Sequence, residues 1–150
     1  LKDFPEYKLI TIGSIREQWY YEACKNISGE QFIHIERIEN DDPLLRSAYS
    51  GCEFFAMPSL IETPSISALE AAVSGVKILI TELGSTKEYF EDFVEYVNPY
   101  DIDSMKSQIK RTIDKDNNEL LSHHIKSKYS SHKVMEELLN VYTSVIEKKG

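Results

Sequence analysis

Apolar residues in this chain fall into short runs, separated by longer stretches in which they recur every three or four positions. The runs are Leu9–Ile12, ended by Gly13, then Phe32–Ile35, then Phe54–Met57, ended by Pro58, and residues 78–81 and 94–97. Each is apolar on consecutive positions and rich in Ile, Val and Phe, the pattern of a strand covered on both faces. Helices are predicted between them. One covers 19–27 and closes at Ser28-Gly29; another opens at Asp41-Asp42-Pro43 and runs to Tyr49, with an acidic cap and a proline in its first turn. A third covers 67–74 and stops at Gly75. A brief turn follows at 86–90, then a helix over 101–114 with Ile102, Met105, Ile109 and Ile113 along one side, then polar helices over 118–129 and 131–148. Strand–helix alternation of this kind predicts an α/β fold: a Rossmann-like, doubly wound parallel sheet of about five or six strands with flanking helices. Residues 8–113 carry the α/β core of a single 1–150 domain, and 114–150 add the C-terminal helices. Ligands of such sheets collect at the carboxyl ends of the strands. The loops of interest are therefore 13–18, 36–42, 58–67 and 82–87.

Composition narrows the function classes. The length of 150 residues suits one domain, and no apolar run approaches the roughly 20 residues that span a bilayer. The first eight residues carry charges and a proline, unlike a secretory signal. Two cysteines, Cys24 and Cys52, make no disulfide framework and read as reduced packing residues of a cytoplasmic protein. A net charge of −8 argues against a non-specific nucleic-acid surface. An anionic small ligand stays compatible, because amides at a helix start hold phosphate in an acidic protein. The histidines have no metal-ligand spacing, and His123 and His124 are adjacent and diverge on a helix; no metal is expected. Neither a phosphate-binding loop, a dinucleotide glycine fingerprint nor a nucleophile elbow occurs.

The segment richest in chemistry runs from Pro58 to Ala72. It carries two carboxylates, Glu62 and Glu70, separated by seven residues. Glu62 leaves a strand end on a loop, and Glu70 lies near the start of the next helix, so both can face one cleft over a helix N-terminus. Carboxylates accept hydrogen bonds from sugar and ribose hydroxyls, and the helix start suits a diphosphate. Ser67 and Glu70 also read as a capping box that satisfies the first helical amides.

This segment resembles the E-x7-E signature of group 1 retaining glycosyltransferases, which have the two-domain GT-B fold. The flanking text is similar to the family in the same order. Leu44 to Tyr49 resembles the helix before the strand, Glu53 to Leu60 the strand ending in Pro-Ser, and Gly75 to Thr81 the next strand. Gly84 to Phe90 resembles the glycine loop, and Val97 to Asp101 the segment before the following helix. The resemblance implies the C-terminal, donor-binding half of such an enzyme. Its donor is a nucleotide diphosphate sugar, UDP before GDP by family habit, with no further cofactor. It implies transfer of a hexosyl unit with retained anomeric configuration. Glu62 would take the catalytic place beside the donor sugar, and Glu70 would hold the ribose hydroxyls. Thr63, Ser65, Ile66, Gly84, Ser85 and Thr86 would lie along the diphosphate and sugar. Gly13 and Arg16 would stand where the family binds phosphate.

The acceptor site would belong to an N-terminal domain outside these 150 residues, together with any peripheral membrane contact. The 150 residues alone are then not a complete enzyme. The sequence also departs from the family. The usual Arg and Lys after the glycine are replaced in Gly13-Ser14-Ile15-Arg16-Glu17-Gln18-Trp19, and Glu-Gly-Phe-Gly by Glu62-Thr63-Pro64-Ser65. These changes motivate a second reading, a non-catalytic α/β interaction module of the same descent; a third is a nucleotide-sugar epimerase domain, which the same two-domain architecture also serves.

Overall fold

A computed structural model of the chain describes residues 1–117 and 119–148. Five strands and seven α-helices alternate among them, and the chain divides into two compact units, residues 1–46 and 47–150.

In the first unit β1 (Leu9–Ile12) pairs in parallel with β2 (Phe32–Ile35), Leu9 opposite Phe32 and Ile12 opposite Ile35. Helix α1 (Gln18–Ser28) makes the crossover and lays Tyr21 against the rings of Phe32 and His34. The Thr11 hydroxyl and His34 Nδ1 are 3.0 Å apart across the ladder, and the Gln31 amide donates to the carbonyls of Phe4 and Tyr7. No residue of this unit is buried, and Leu9 and Ile10 remain exposed. One helix against two strands supplies too little apolar surface to cover both faces of a ladder.

Helix α2 (Pro43–Gly51) carries the division between the units. It begins as its sequence predicts: the Asp42 carboxylate accepts from the Leu44 amide at 2.8 Å.

The second unit holds the core. Strands β3 (Phe54–Met57), β4 (Lys77–Thr81) and β5 (Glu95–Val97) lie in that order, all parallel. Every residue of the central strand β4 is buried: the apolar Ile78, Leu79 and Ile80, and also Lys77 and Thr81 at its two ends. Helix α3 (Ile66–Val73) packs on this ladder through Ala68, Ala71 and Ala72, small side chains that let the helix approach closely. Phe90 at the end of α4 (Thr86–Phe90), with Leu121 and Ile125 of α6 (Glu119–Tyr129), completes the cluster. Each large side chain buried there contributes about 1.5–3 kcal/mol. Helix α5 (Ile102–Ile113) lies on β4 and β5, and α7 (Ser131–Glu147) follows α6.

The α/β class and parallel pairing match the sequence reading, but the sheet does not match in size. Five strands form ladders of two and three instead of one sheet of five or six. Periodicity reports which faces of a strand are covered, not which strand lies beside it. Three smaller corrections apply. Helix α3 starts at Ile66, and β5 starts at Glu95. Ile102 is exposed at the first turn of α5, beyond the reach of the sheet. The predicted start of α6 at Asn118 lies outside the described residues. Cys24 and Cys52 are free thiols, and burial pushes the Cys52 thiol up. No described helix is long and apolar enough to cross a membrane, and no described His, Cys, Asp and Glu gather as a metal-ligand group.

Candidate functional site

Two neighbouring loops meet at the carboxyl ends of β3 and β4. The Glu62 amide donates to the Leu83 carbonyl at 3.1 Å, and the Ser85 amide donates back to the Glu62 carbonyl at 2.9 Å. Gly84 sits inside this clasp with φ at +98°. A Cβ on Gly84 would stand 1.9 Å from the Glu62 carbonyl oxygen, so no other residue fits without moving the loop. Below the clasp, the Thr81 hydroxyl accepts from the Leu83 amide at 3.2 Å, and the Thr86 hydroxyl donates to the Thr81 carbonyl at 2.7 Å. Both threonines are fully buried, so they brace the loop and their hydroxyls are committed. Ser85 is half-buried, while Lys87 reaches the Glu82 carboxylate on the surface.

The path from Glu62 into α3 differs from the expected capping box. Ser65, not Ser67, is the N-cap: its hydroxyl accepts from the Ala68 amide at 3.3 Å. Moving the cap two residues earlier places Glu70 at the fifth helical position. From there its carboxylate cannot reach back to the cap. It accepts instead from the phenol of Tyr49, with Oε2 at 3.0 Å. Tyr49 comes from α2, 21 residues away, and its ring packs edge-on against Phe55 of β3. Burial, then the hydrogen bond to Glu70, push the Tyr49 phenol up to about 12. Pro64 offers no N–H, so Ile66 and Ser67 carry the first-turn amides without an intrahelical acceptor. Thr63 and Ile66 are exposed at this helix start, and Ser65 is buried beneath it.

Of the sequence-predicted residues, the structure thus joins Glu62, Gly84 and Ser85 through backbone contacts. It sets Glu70, Thr63, Ser65 and Ile66 on the adjoining loop and helix. Gly13 and Arg16 belong to the first unit. Gly13 has φ at +144° and donates its amide to the Ile35 carbonyl; Arg16 is exposed. The opposite ends of β4 and β5 carry charges of another kind. There Lys77 bonds Glu53, and Lys115 bonds Glu95.

A sequence model described as glycosyl transferases group 1 matches residues 1–131. The chain belongs to this family. Among solved structures it resembles sucrose-phosphate synthase from Thermosynechococcus elongatus, with a TM-score of 0.77 and 16% identity over 94% of this chain and 39% of that one. It also resembles AviGT4, a glycosyltransferase involved in avilamycin A biosynthesis, with a TM-score of 0.70 and 15% identity over 93% of this chain and 44% of that one. At these identities the likeness shows the fold alone, that of a Rossmann-like fragment of a GT-B protein. The chain spans about two-fifths of the length of these two proteins. A comparison with curated protein sequences finds no match. Within the family segment, sequence reasoning missed Tyr49 as a partner of Glu70. The Leu44–Tyr49 text marked the helix, but nothing in its spacing pointed to a residue in α3.

Proposed function

We propose that this chain is the donor-binding part of a retaining glycosyltransferase that moves a hexosyl unit from a nucleotide diphosphate sugar, UDP-linked before GDP-linked, to an acceptor bound elsewhere in the full-length protein. The observation that carries the reading is the clasp between Glu62 and Gly84 beside the helix that bears Glu70. It lies at the carboxyl ends of adjacent parallel strands, where α/β folds bind ligands, and it joins the glycine turn to Glu62, from which the chain runs on into the helix that carries Glu70. Glu70 takes the ribose hydroxyls and Glu62 the donor sugar. Amides of Thr63, Ile66 and Gly84 and the Ser85 hydroxyl line the diphosphate, with Ser65 fixing the helix that presents them and Thr86 bracing the loop. The proposed setting is cytoplasmic, and no cofactor beyond the donor enters the reading.

Steady-state kinetics of the full-length protein test it. Each of Glu62→Ala and Glu70→Ala removes hydrogen bonds to a charged acceptor, worth about 1.5–3 kcal/mol. The expected loss in kcat/KM for the donor is roughly 10- to 100-fold. Unchanged donor kinetics in both variants would refute the assignment. A second reading, the non-catalytic module, is favoured by Thr63 and Ser65, which stand where the family has glycines, and by Pro64, which has no N–H to offer a phosphate. That reading predicts no binding of any nucleotide sugar. Product analysis without acceptor separates transfer from epimerisation.

A further inference from the structure

We propose that Tyr49 is a positioning residue for the donor: its phenol holds the Glu70 carboxylate in one orientation, ready for the ribose hydroxyls. The inference rests on the reading of Glu70 as a ribose ligand and adds to it a residue from another helix.

Three contacts support it. The phenol donates to Glu70 Oε2 at 3.0 Å, while the Tyr49 ring is itself fixed edge-on to Phe55 at 5.9 Å between centroids. The Cys52 thiol donates to the Tyr49 carbonyl at 3.3 Å, which ties down the end of the helix that carries the ring. Both partners are half-buried, so the bond is only partly open to competition from water. A glutamate free to rotate must lose rotamer freedom when it binds a ligand. One already held by a tyrosine has lost it on folding. A carboxylate has about four lone-pair directions on its two oxygens. A single phenol uses one and leaves the others for a vicinal diol. The phenol is the right donor for this task because it stays protonated throughout the physiological range. Its pKa, raised to about 12, moves it further from ionisation.

The test is calorimetric binding to the full-length protein and its Tyr49→Phe and Glu70→Gln variants. The probes are UDP, GDP and ADP and their 2′,3′-dideoxy counterparts. Tyr49→Phe keeps the ring on Phe55 and removes the hydroxyl, with its bond to Glu70 and its contact with the Ser67 side chain. Freezing one glutamate side chain corresponds to up to roughly tenfold in affinity. Tyr49→Phe is therefore expected to weaken the bound ribonucleotide by three- to tenfold and to leave its dideoxy counterpart unchanged. In turnover, the donor KM rises and kcat changes less than about twofold. Equal weakening of both nucleotides would mean that Tyr49 acts through the fold alone, and would overturn the proposal. An unaffected Tyr49→Phe beside a weakened Glu70→Gln would overturn the proposal and leave the ribose reading standing. An unaffected Glu70→Gln, or no binding of any probe, would remove the ribose reading and the proposal with it.

Discussion

Gly84 shows how a single residue fixes the site. A side chain there faces two obstacles, a left-handed backbone and the Glu62 carbonyl oxygen in the place of its Cβ. Gly75 has a similar φ of +85° but open space around it. Gly84→Ala is therefore expected to cost about 3 kcal/mol and to raise the donor KM as the clasp opens. Gly75→Ala costs only the backbone term, about 1 kcal/mol. Thermal denaturation of the two variants separates the contributions; equal losses would show that the clasp yields freely. A turn glycine at position 84 was legible in the sequence. The close approach was not, since it arises only when the loop after β3 lies beside the loop after β4. Glu70 teaches the same lesson. Ser65 and Ser67 are both competent caps, and only the packing of α3 through Ala68, Ala71 and Ala72 decides between them.

Among the elements, α5 depends on a residue of the strand it covers. Lys77 opens β4, is almost fully buried, and donates its ammonium to the Glu53 carboxylate and to the Ile113 and Lys115 carbonyls. The Ile113 carbonyl ends α5, where helical C=O groups lack partners and the dipole favours a cation, and Lys115 lies two residues beyond it. Lys77→Met keeps the stem and strips all three bonds, leaving Glu53 and the helix end unsatisfied. The expected loss is about 3 kcal/mol, measured by urea denaturation. A loss below 1 kcal/mol would mean that water replaces the ammonium. The apolar run 78–81 identified the strand, yet Lys77 fell outside it because a charged residue signals the end of a buried run. Helix α7 shows the converse. Its spacing predicted a helix correctly, yet Val134, Leu138, Val141 and Val145 all stay exposed on it. Helical periodicity is a local property of the chain, whereas burial depends on what lies opposite.

For the molecule as a whole, alkaline pH tests how far its tyrosines are built into the packing. Tyr49 and Tyr96 are both pushed up to about 12, chiefly by burial, and Tyr129 moves in the same direction. A raised folded pKa means stability that is complete below the unfolded value of about 10 and lost as pH climbs towards 12. The full-length protein is expected to hold its denaturation midpoint up to pH 10 and lose it over the next two units. The decline should be shallower with Tyr49→Phe and Tyr96→Phe combined; identical profiles would exclude these phenols as the cause. At this scale the α/β class and the order of elements were legible, because helix and strand periods are written in the local text. The division into ladders of two and three was not, since lateral neighbours leave no trace in periodicity. The clasp between Glu62 and Gly84 also bears on how such proteins diverge. Residues 58–67 and 82–87 share backbone bonds and so must change together: an insertion tolerated in either loop alone would unfasten the other. Exchange of donor preference between members of this family by transplanting segments should succeed as a paired graft and fail as a single one.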